Sequence, residues 1–288
     1  MDKIKIITDT ASDIDIITAN ENDICMLPFT IVVDGKQYKE QYDLSKEEYW
    51  SILSECETIP STAQVSPQEF LDCYIEQYKL GYNKFIVVLI NGTASGTFNS
   101  ANLAKDMFLE KYPDEVEFKF IDSKLYTALY GKPILDGAKL IKEGKSFSEV
   151  CSFLENRISK MRAYAYMTTL KFAKMSGRIS ILSAIVGEAL GLKPVMKIYD
   201  RKVEVYSKTR GEKAALSKVL EAVKEDAFDI ENEEIILVHG SNSEETLLKI
   251  EEEIKKVLNP KSIIRWKLGC CITTNTGPET IGVLYYGK

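Results

Sequence analysis

The sequence is poor in the residues that bind transition metals. It contains a single histidine, His239, and its six cysteines, none of them in a CxxC pair, occupy positions 25, 56, 73, 151, 270 and 271. Structural zinc sites need four closely spaced Cys or His ligands, so this composition argues against one. Asp9 and Asp13 are a weak metal candidate, because the DTASD turn that holds them is more often a helix-capping arrangement. We therefore expect no bound metal and reduced cysteines.

Basic charge, long apolar runs and nucleotide-binding motifs are scarce as well. The chain has 37 Lys and Arg against 43 Asp and Glu, a formal net charge of −6, so it lacks the concentrated basic surface that nucleic acids require. No apolar run reaches the roughly 18 residues needed to cross a bilayer, and the chain opens on a strand pattern instead of a secretory leader. No GxxxxGK[ST] loop occurs. We therefore expect a cytoplasmic protein without nucleic-acid partner, stable membrane insertion or cofactor.

The hydrophobic pattern indicates an α/β protein. With 288 residues, 45% of them hydrophobic, the chain is long enough for two domains. Short runs rich in Val and Ile alternate with helical patterns over residues 1–158, which predicts a mostly parallel sheet flanked by helices in an N-terminal domain. The pattern changes near residue 160. Residues 159–288, in which strands and helices also alternate, are predicted to form a second α/β layer domain.

Residues 84–101, KFIVVLINGTASGTFNSA, hold the main candidate site. They predict a buried strand that ends in a small, hydroxyl-rich turn before a helix, and the free N–H groups of a helix N-terminus favour an anion. Thr62 lies in a second polar loop before a helix, and such loops share the carboxyl edge of a doubly wound sheet. Thr62, Ser95 and the Gly96 N–H could therefore clamp one carboxylate. The alternative is that Ser95 and Thr97 only cap the helix.

Two other functions use the same residues. A serine-dependent acyl hydrolase would use Ser95, but GTASG is not the GxSxG elbow, and the required base would be His239, which is expected to be a structural residue at a strand end. An interaction protein would use the hydroxyl loops only as caps. The apolar segment 180–190 is compatible with plain core or with a ligand channel, and composition does not distinguish them.

Short motifs follow one another in a fixed order along nearly the whole chain. They are DTASD at 9–13, TAQVSP at 62–67, NGTASGTFNS at 91–100, DS at 122–123, LKFAKMSGRIS at 170–180, LKP at 192–194 and KTRG at 208–211. In this order they resemble the DSxxD, TSQPSP, SSxLSGTxxSA, DS, LxxLxxGGRIS, IKP and KxRG motifs of the DegV family of bacterial fatty-acid-binding proteins. Each motif is weak alone, and together they are a strong match.

The resemblance implies how such a protein works. It implies two domains that enclose a long-chain fatty acid, such as palmitate or oleate, in a buried tunnel, with the carboxylate bonded at the positions of Thr62 and Ser95. Some members of the family present this carboxylate to a separate fatty acid kinase for phospholipid synthesis. Arg210 matches an arginine implicated in the kinase contact. The binding protein itself is not a catalyst in this scheme.

The chain departs from the family pattern near its C-terminal end. The family motif HxGPGxxG is replaced by NTGPETIG at 275–282, so that Asn275 stands in place of a histidine and Glu279 in place of a glycine. Asn275 can hydrogen-bond a carboxylate but cannot carry positive charge. We predict a non-catalytic fatty-acid carrier with Thr62, Ser95, Gly96 and Asn275 as ligand-binding residues. The alternative is a lipid-binding protein uncoupled from any kinase.

Overall fold

The computed structural model describes residues 3–112, 116–177 and 192–288, which form three β-sheets covered by helices. The segment 180–190, compatible by sequence with core or channel, lies outside these residues. None of the helices in these ranges has both the length and the apolar character of a membrane span. The predicted α/β fold class is confirmed.

Strands and helices alternate along most of the chain. The strands are β1 (Ile4–Asp9), β2 (Ile24–Leu27), β3 (Thr30–Val33), β4 (Lys36–Lys39), β5 (Ser61–Ala63), β6 (Lys84–Leu89), β7 (Glu117–Asp122), β8 (Met161–Tyr166), β9 (Leu192–Tyr199), β10 (Lys202–Arg210), β11 (Glu234–His239), β12 (Ser262–Lys267) and β13 (Ile281–Tyr286). The helices are α1 (Ile16–Glu21), α2 (Lys46–Glu55), α3 (Pro67–Lys79), α4 (Thr97–Lys111), α5 (Ala128–Lys142), α6 (Phe147–Lys160), α7 (Lys171–Ser176), α8 (Glu212–Asp226), α9 (Glu244–Leu258) and α10 (Cys270–Thr276).

A parallel four-stranded sheet in the order β2-β1-β6-β7 forms the centre of the N-terminal half. Residues 85–89 of β6 are completely buried, as expected for a strand covered by helices on both faces. Helix α3 packs beside α4, and α5 beside α6. Because all four strands run in the same direction, the loops after β1, β6 and β7 meet at one edge of the sheet.

The apolar pattern of residues 25–33 predicts one extended segment, but the structure divides this run between two sheets. Pro28 stands at the break between β2 and β3 and cannot donate to a strand ladder. Asp34-Gly35 is a sequence typical of a hairpin turn, and β3 forms a hairpin with β4 in which both turn residues have positive φ. On its other side β3 pairs with β5, a short strand that the sequence did not indicate. This pairing places Thr62 opposite Ile31.

A six-stranded sheet in the order β10-β9-β8-β13-β11-β12 occupies the C-terminal half. Its pairs are antiparallel except β11 with β12. Along β8 the residues alternate: Tyr164 and Tyr166 join the core beneath α8 and α9, so Ala163 and Ala165 face the opposite side. The division into two domains between residues 158 and 159 stays a prediction.

The two halves are connected through buried hydrogen bonds around Glu40. Its carboxylate accepts from the Thr10 hydroxyl at 2.6 Å, on the loop after β1, and from the Cys271 N–H at 2.9 Å, at the start of α10. From α2, the Trp50 indole donates to the Leu268 carbonyl at 3.1 Å. Glu40 is completely buried, so its two bonds compensate for the loss of water at both donors.

We expect Glu40→Ala to destabilise the protein by several kcal/mol, because each buried donor left unpaired costs about 1–3 kcal/mol. Urea unfolding at a fixed pH measures the change. Glu40→Gln, which keeps the size and one acceptor, should lose less. Glu252→Ala, an exposed position on α9, is the control and should leave the midpoint unchanged. An equal midpoint for Glu40→Ala and the wild type would contradict the role given to Glu40.

Candidate ligand-binding site

A cavity of about 440 Å³ lies between the carboxyl edge of the parallel sheet and one face of the six-stranded sheet. Its volume is within the range of about 300–1,000 Å³ that is usual for small-molecule sites. None of the described residues that line it carries a charged side chain. The site is therefore an apolar chamber with a few neutral polar groups.

One wall of the cavity is a flat apolar surface of the six-stranded sheet. Ala163 and Ala165 of β8 lie there beside Val238 and Leu284. Ala165 is opposite Gly282, where a methyl group would come within 2.8 Å of Val238 Cγ2. Small residues in the middle of this surface leave room that larger side chains would fill, so the alternation of Ala and Tyr in β8 creates the cavity on one face and a packed core on the other.

The four ligand residues predicted from the sequence all line this cavity. Thr62 comes from β5, Ser95 and Gly96 from the loop before α4, and Asn275 from α10. The Thr62 hydroxyl and the Gly96 N–H make no hydrogen bond with a described residue. The tertiary structure thus brings together groups from three separate parts of the chain. Two of these groups, the Thr62 hydroxyl and the Gly96 N–H, are donors available to a ligand.

The N-cap of α4 is Gly96, and Ser95, predicted as a possible cap, lies one residue before it and lines the cavity. The Ser95 hydroxyl bonds the Thr97 hydroxyl at 2.8 Å and accepts from the Thr97 N–H at 3.3 Å. His239 does not line the cavity; its Nδ1 lies 2.9 Å from the Gly240 carbonyl, and its ring is next to Trp50. The pair required for a serine hydrolase is therefore not assembled.

Asn275 lies on a helix that the sequence did not indicate. The segment CCITTNT of α10 is rich in Thr, a poor helix former, and its polar side chains donate to the helix backbone: the Thr274 hydroxyl to the Cys270 carbonyl at 2.7 Å and Asn275 Nδ2 to the Cys271 carbonyl at 2.8 Å. Glu279 is exposed and does not line the cavity, and Arg210 is exposed at the end of β10.

Several cavity residues were missed by sequence reasoning, among them the polar residues Gln64 and Thr127. Gln64 lies against Gly96, where a Cβ would collide with its amide, and its Nε2 donates to Ser100 Oγ at 3.0 Å. Its position inside the TAQVSP motif was the available signal. Thr127 has φ 50° and ψ −143°, which is strained for a β-branched residue, and its buried hydroxyl has no described partner. No local pattern indicates that strain.

Two buried carboxyl groups, Asp9 and Asp13, lie at the end of β1 and in the turn that follows it. Asp9 accepts from the N–H groups of Ile90 and Ala11 and from the Tyr130 hydroxyl at 2.6 Å; burial raises its pKa to about 7 despite these bonds. Asp13 makes no hydrogen bond through its carboxyl oxygens within the described residues, and burial raises its pKa to about 8. No group of His, Cys, Asp and Glu in these residues has a metal-binding arrangement.

The fold and the cavity together define a class: an α/β protein whose parallel sheet edge and mixed sheet enclose an apolar chamber with uncharged polar groups at the sheet edge. Comparison with known proteins then identifies the family. A family model described as an uncharacterised protein of the DegV family matches residues 3–288. The chain belongs to the DegV family, which confirms the resemblance found in the motifs.

Similar proteins cover the chain from end to end. A DegV domain-containing protein of Caldanaerobacter subterraneus subsp. tengcongensis is 33% identical over 288 residues, 100% of both chains. The solved structure of a fatty-acid-binding DegV family protein from Thermus thermophilus is 26% identical with a TM-score of 0.87, covering 99% of this chain and 100% of that one. DegV of Bacillus subtilis, described as a fatty acid binding protein, is 26% identical with a TM-score of 0.86 and complete coverage of both chains.

We expect Asp13→Asn to remove a pH dependence of stability. In the unfolded chain Asp13 ionises near its ordinary pKa of 3.8, whereas in the folded protein it stays protonated up to about pH 8. Between these values the folded state binds more protons, so this residue makes stability fall as the pH rises. Urea unfolding at about pH 5 and about pH 8.5 should therefore show a smaller fall for the variant than for the wild type.

The control for this experiment is Asp15→Asn, an exposed aspartate two residues away that caps α1. Asn is also a good N-cap, so this variant should keep the wild-type slope. An identical slope for Asp13→Asn and the wild type would show that Asp13 ionises equally in both states.

Proposed function

We propose that this protein binds one long-chain fatty acid, such as palmitate or oleate, with the tail in the cavity and the carboxylate at the hydroxyl loops. The observation that carries the proposal is an apolar chamber of about 440 Å³ with Thr62, Ser95, Gly96 and Asn275 on its lining. The fatty acids described for similar DegV proteins support it. A free acid fits better than a neutral lipid, because these groups offer donors from several directions.

Neutral donors would hold the carboxylate. The Thr62 hydroxyl and the Gly96 N–H are available, and the Ser95 hydroxyl can turn its proton to the ligand while it still accepts from the Thr97 N–H. Asn275 Nδ2 donates one of its two N–H groups to the Cys271 carbonyl, so the other N–H could donate to the ligand. Hydrogen bonds to a charged group contribute about 1.5–3 kcal/mol each, so they orient the head group without a cationic side chain.

The tail would supply most of the affinity. Burial contributes about 0.8 kcal/mol per methylene, which for a C16 chain is an upper bound of roughly 11 kcal/mol. The surface formed by Ala163, Ala165, Val238 and Leu284 provides apolar contact without polar atoms that would need partners. The tail would thus provide most of the binding free energy, and the hydrogen bonds to the carboxylate would set the orientation of the ligand.

The proposed role of this binding is presentation of the carboxylate to a separate fatty acid kinase in the cytoplasm, without catalysis by this chain. Arg210, exposed at the end of β10, is available for that contact. A lipid-binding protein uncoupled from a kinase is the second candidate, favoured by one observation: Asn275, which cannot be cationic, lines the cavity where the family pattern has a histidine. Phosphorylation of the bound fatty acid by an added kinase, lost in Arg210→Ala, would distinguish the two.

We expect Ser95→Ala to weaken palmitate binding by roughly 10-fold to 100-fold, because it removes one hydrogen bond to a charged group. Native mass spectrometry after purification measures occupancy, and titration of the delipidated protein measures affinity. Ser51→Ala, an exposed serine on α2, is the control. Equal affinity in Ser95→Ala would remove Ser95 from the site. A wild-type protein that purifies empty and takes up neither palmitate nor oleate would overturn the function itself.

We expect Ala165→Leu to reduce palmitate affinity by about 10-fold or more, because the added carbons occupy space that the tail would fill. The affinity for decanoate, which needs a shorter part of the cavity, should fall less. Tyr164→Phe is the matched control, since it changes the neighbouring residue on the packed face of β8. An equal loss for both fatty acids, or none for either, would show that the tail does not lie against β8.

A further inference from the structure

Two cysteines from different elements are in contact outside the cavity. Cys25 Sγ of β2 and Cys73 Sγ of α3 are 3.0 Å apart. A disulfide bond is about 2.05 Å long, so the two sulfur atoms need to approach by only about 1 Å to be bonded. Neither residue lines the cavity, and no part of the proposed function uses them.

The two thiols differ in the way that a disulfide exchange requires. Cys25 is the less buried of the two residues, since Cys73 is only 5% exposed, so Cys25 lies nearer to solvent. The hydrogen bond from Cys73 lowers the pKa of Cys25, and the Lys5 ammonium acts in the same direction against the effect of burial. The same hydrogen bond and burial raise the pKa of Cys73. We therefore expect Cys25 to react first and Cys73 to attack the resulting adduct.

We propose that Cys25 and Cys73 are a modification site that forms a reversible intramolecular disulfide by exchange with a small-molecule disulfide of the glutathione class. The Cys25 thiolate attacks one sulfur of the reagent, an S–S bond forms, and one thiolate leaves. Cys73 then loses its proton and attacks the Cys25 sulfur, which releases the second thiolate. The protein loses two protons and two electrons, and the reagent is reduced to two thiols.

The bond would close a loop that carries part of the ligand site. The segment between the two cysteines contains β3, β4, α2 and β5, and with β5 the cavity residue Thr62. It also contains Glu40, which bonds the start of α10. A cross-link over such a loop restricts the unfolded chain, so the oxidised protein should be the more stable form. Because Cys25 pairs with Ile7 in the ladder of β1 and β2, the link joins the central sheet directly to α3.

The test uses the full chain, first reduced and then incubated with oxidised glutathione under native conditions. We expect a mass loss of about 2 Da, a peptide that joins Cys25 to Cys73, reversal by dithiothreitol, and a thermal midpoint several degrees higher in the oxidised form. Cys73→Ser, which lacks the second sulfur, should instead keep a stable glutathione adduct on Cys25. Cys151→Ser, a buried cysteine on α6, is the control and should form the bridge as the wild type does.

Three results would overturn the proposal. The first is a lasting glutathione adduct on Cys25 of the wild type without a bridge. The second is a bridge that forms only in denaturant, and the third is one that links Cys25 to another cysteine. None of these results depends on fatty-acid binding, so this test and that of the proposed function fail independently.

Discussion

The buried carboxylate of Glu40 connects the two walls of the cavity. It accepts from Thr10, on the loop that leaves the parallel sheet, and from the N–H of Cys271, at the start of the helix that carries Asn275. The position of α10 over the sheet edge, and with it one side of the cavity, depends on these bonds. Burial disfavours the ionised form of Glu40 and raises its pKa, so the hydrogen bonds must compensate for a costly position.

Two different environments lie next to each other near this connection. The end of β1 and the turn after it hold buried carboxyl groups, whereas the neighbouring cavity has no charged side chain among its described lining residues. The fatty acid that we propose as ligand would suit that combination, because its tail needs a dry apolar wall and its single charge could be held by neutral donors at the sheet edge. Asn275 keeps the cavity lining uncharged, since it offers an amide where a histidine would add a titratable charge.

Much of the local structure could be predicted from the sequence. The sequence pattern predicts a capping box of Ser66 with Glu69, a second box at Ser146 and a hairpin turn at Asp34 and Gly35, and the structure contains all three. These features depend on residues within four positions of one another, so the sequence pattern contains the whole interaction. The split of run 25–33, the strand β5 and the helix α10 were not predicted, because each depends on partners far along the chain.

The sequence alone determined the alternation of helices and strands, the family motifs and the residue types of the site, because periodicity, caps and turns act over short distances. Tertiary structure decided that Thr62, Ser95 and Asn275 line one cavity, and that Ala163 and Ala165 face it while Tyr164 and Tyr166 do not. Strand pairing sets which face each residue occupies, and a cavity is volume that packing leaves unfilled. Neither property is contained in any local pattern, because both arise only when distant segments meet.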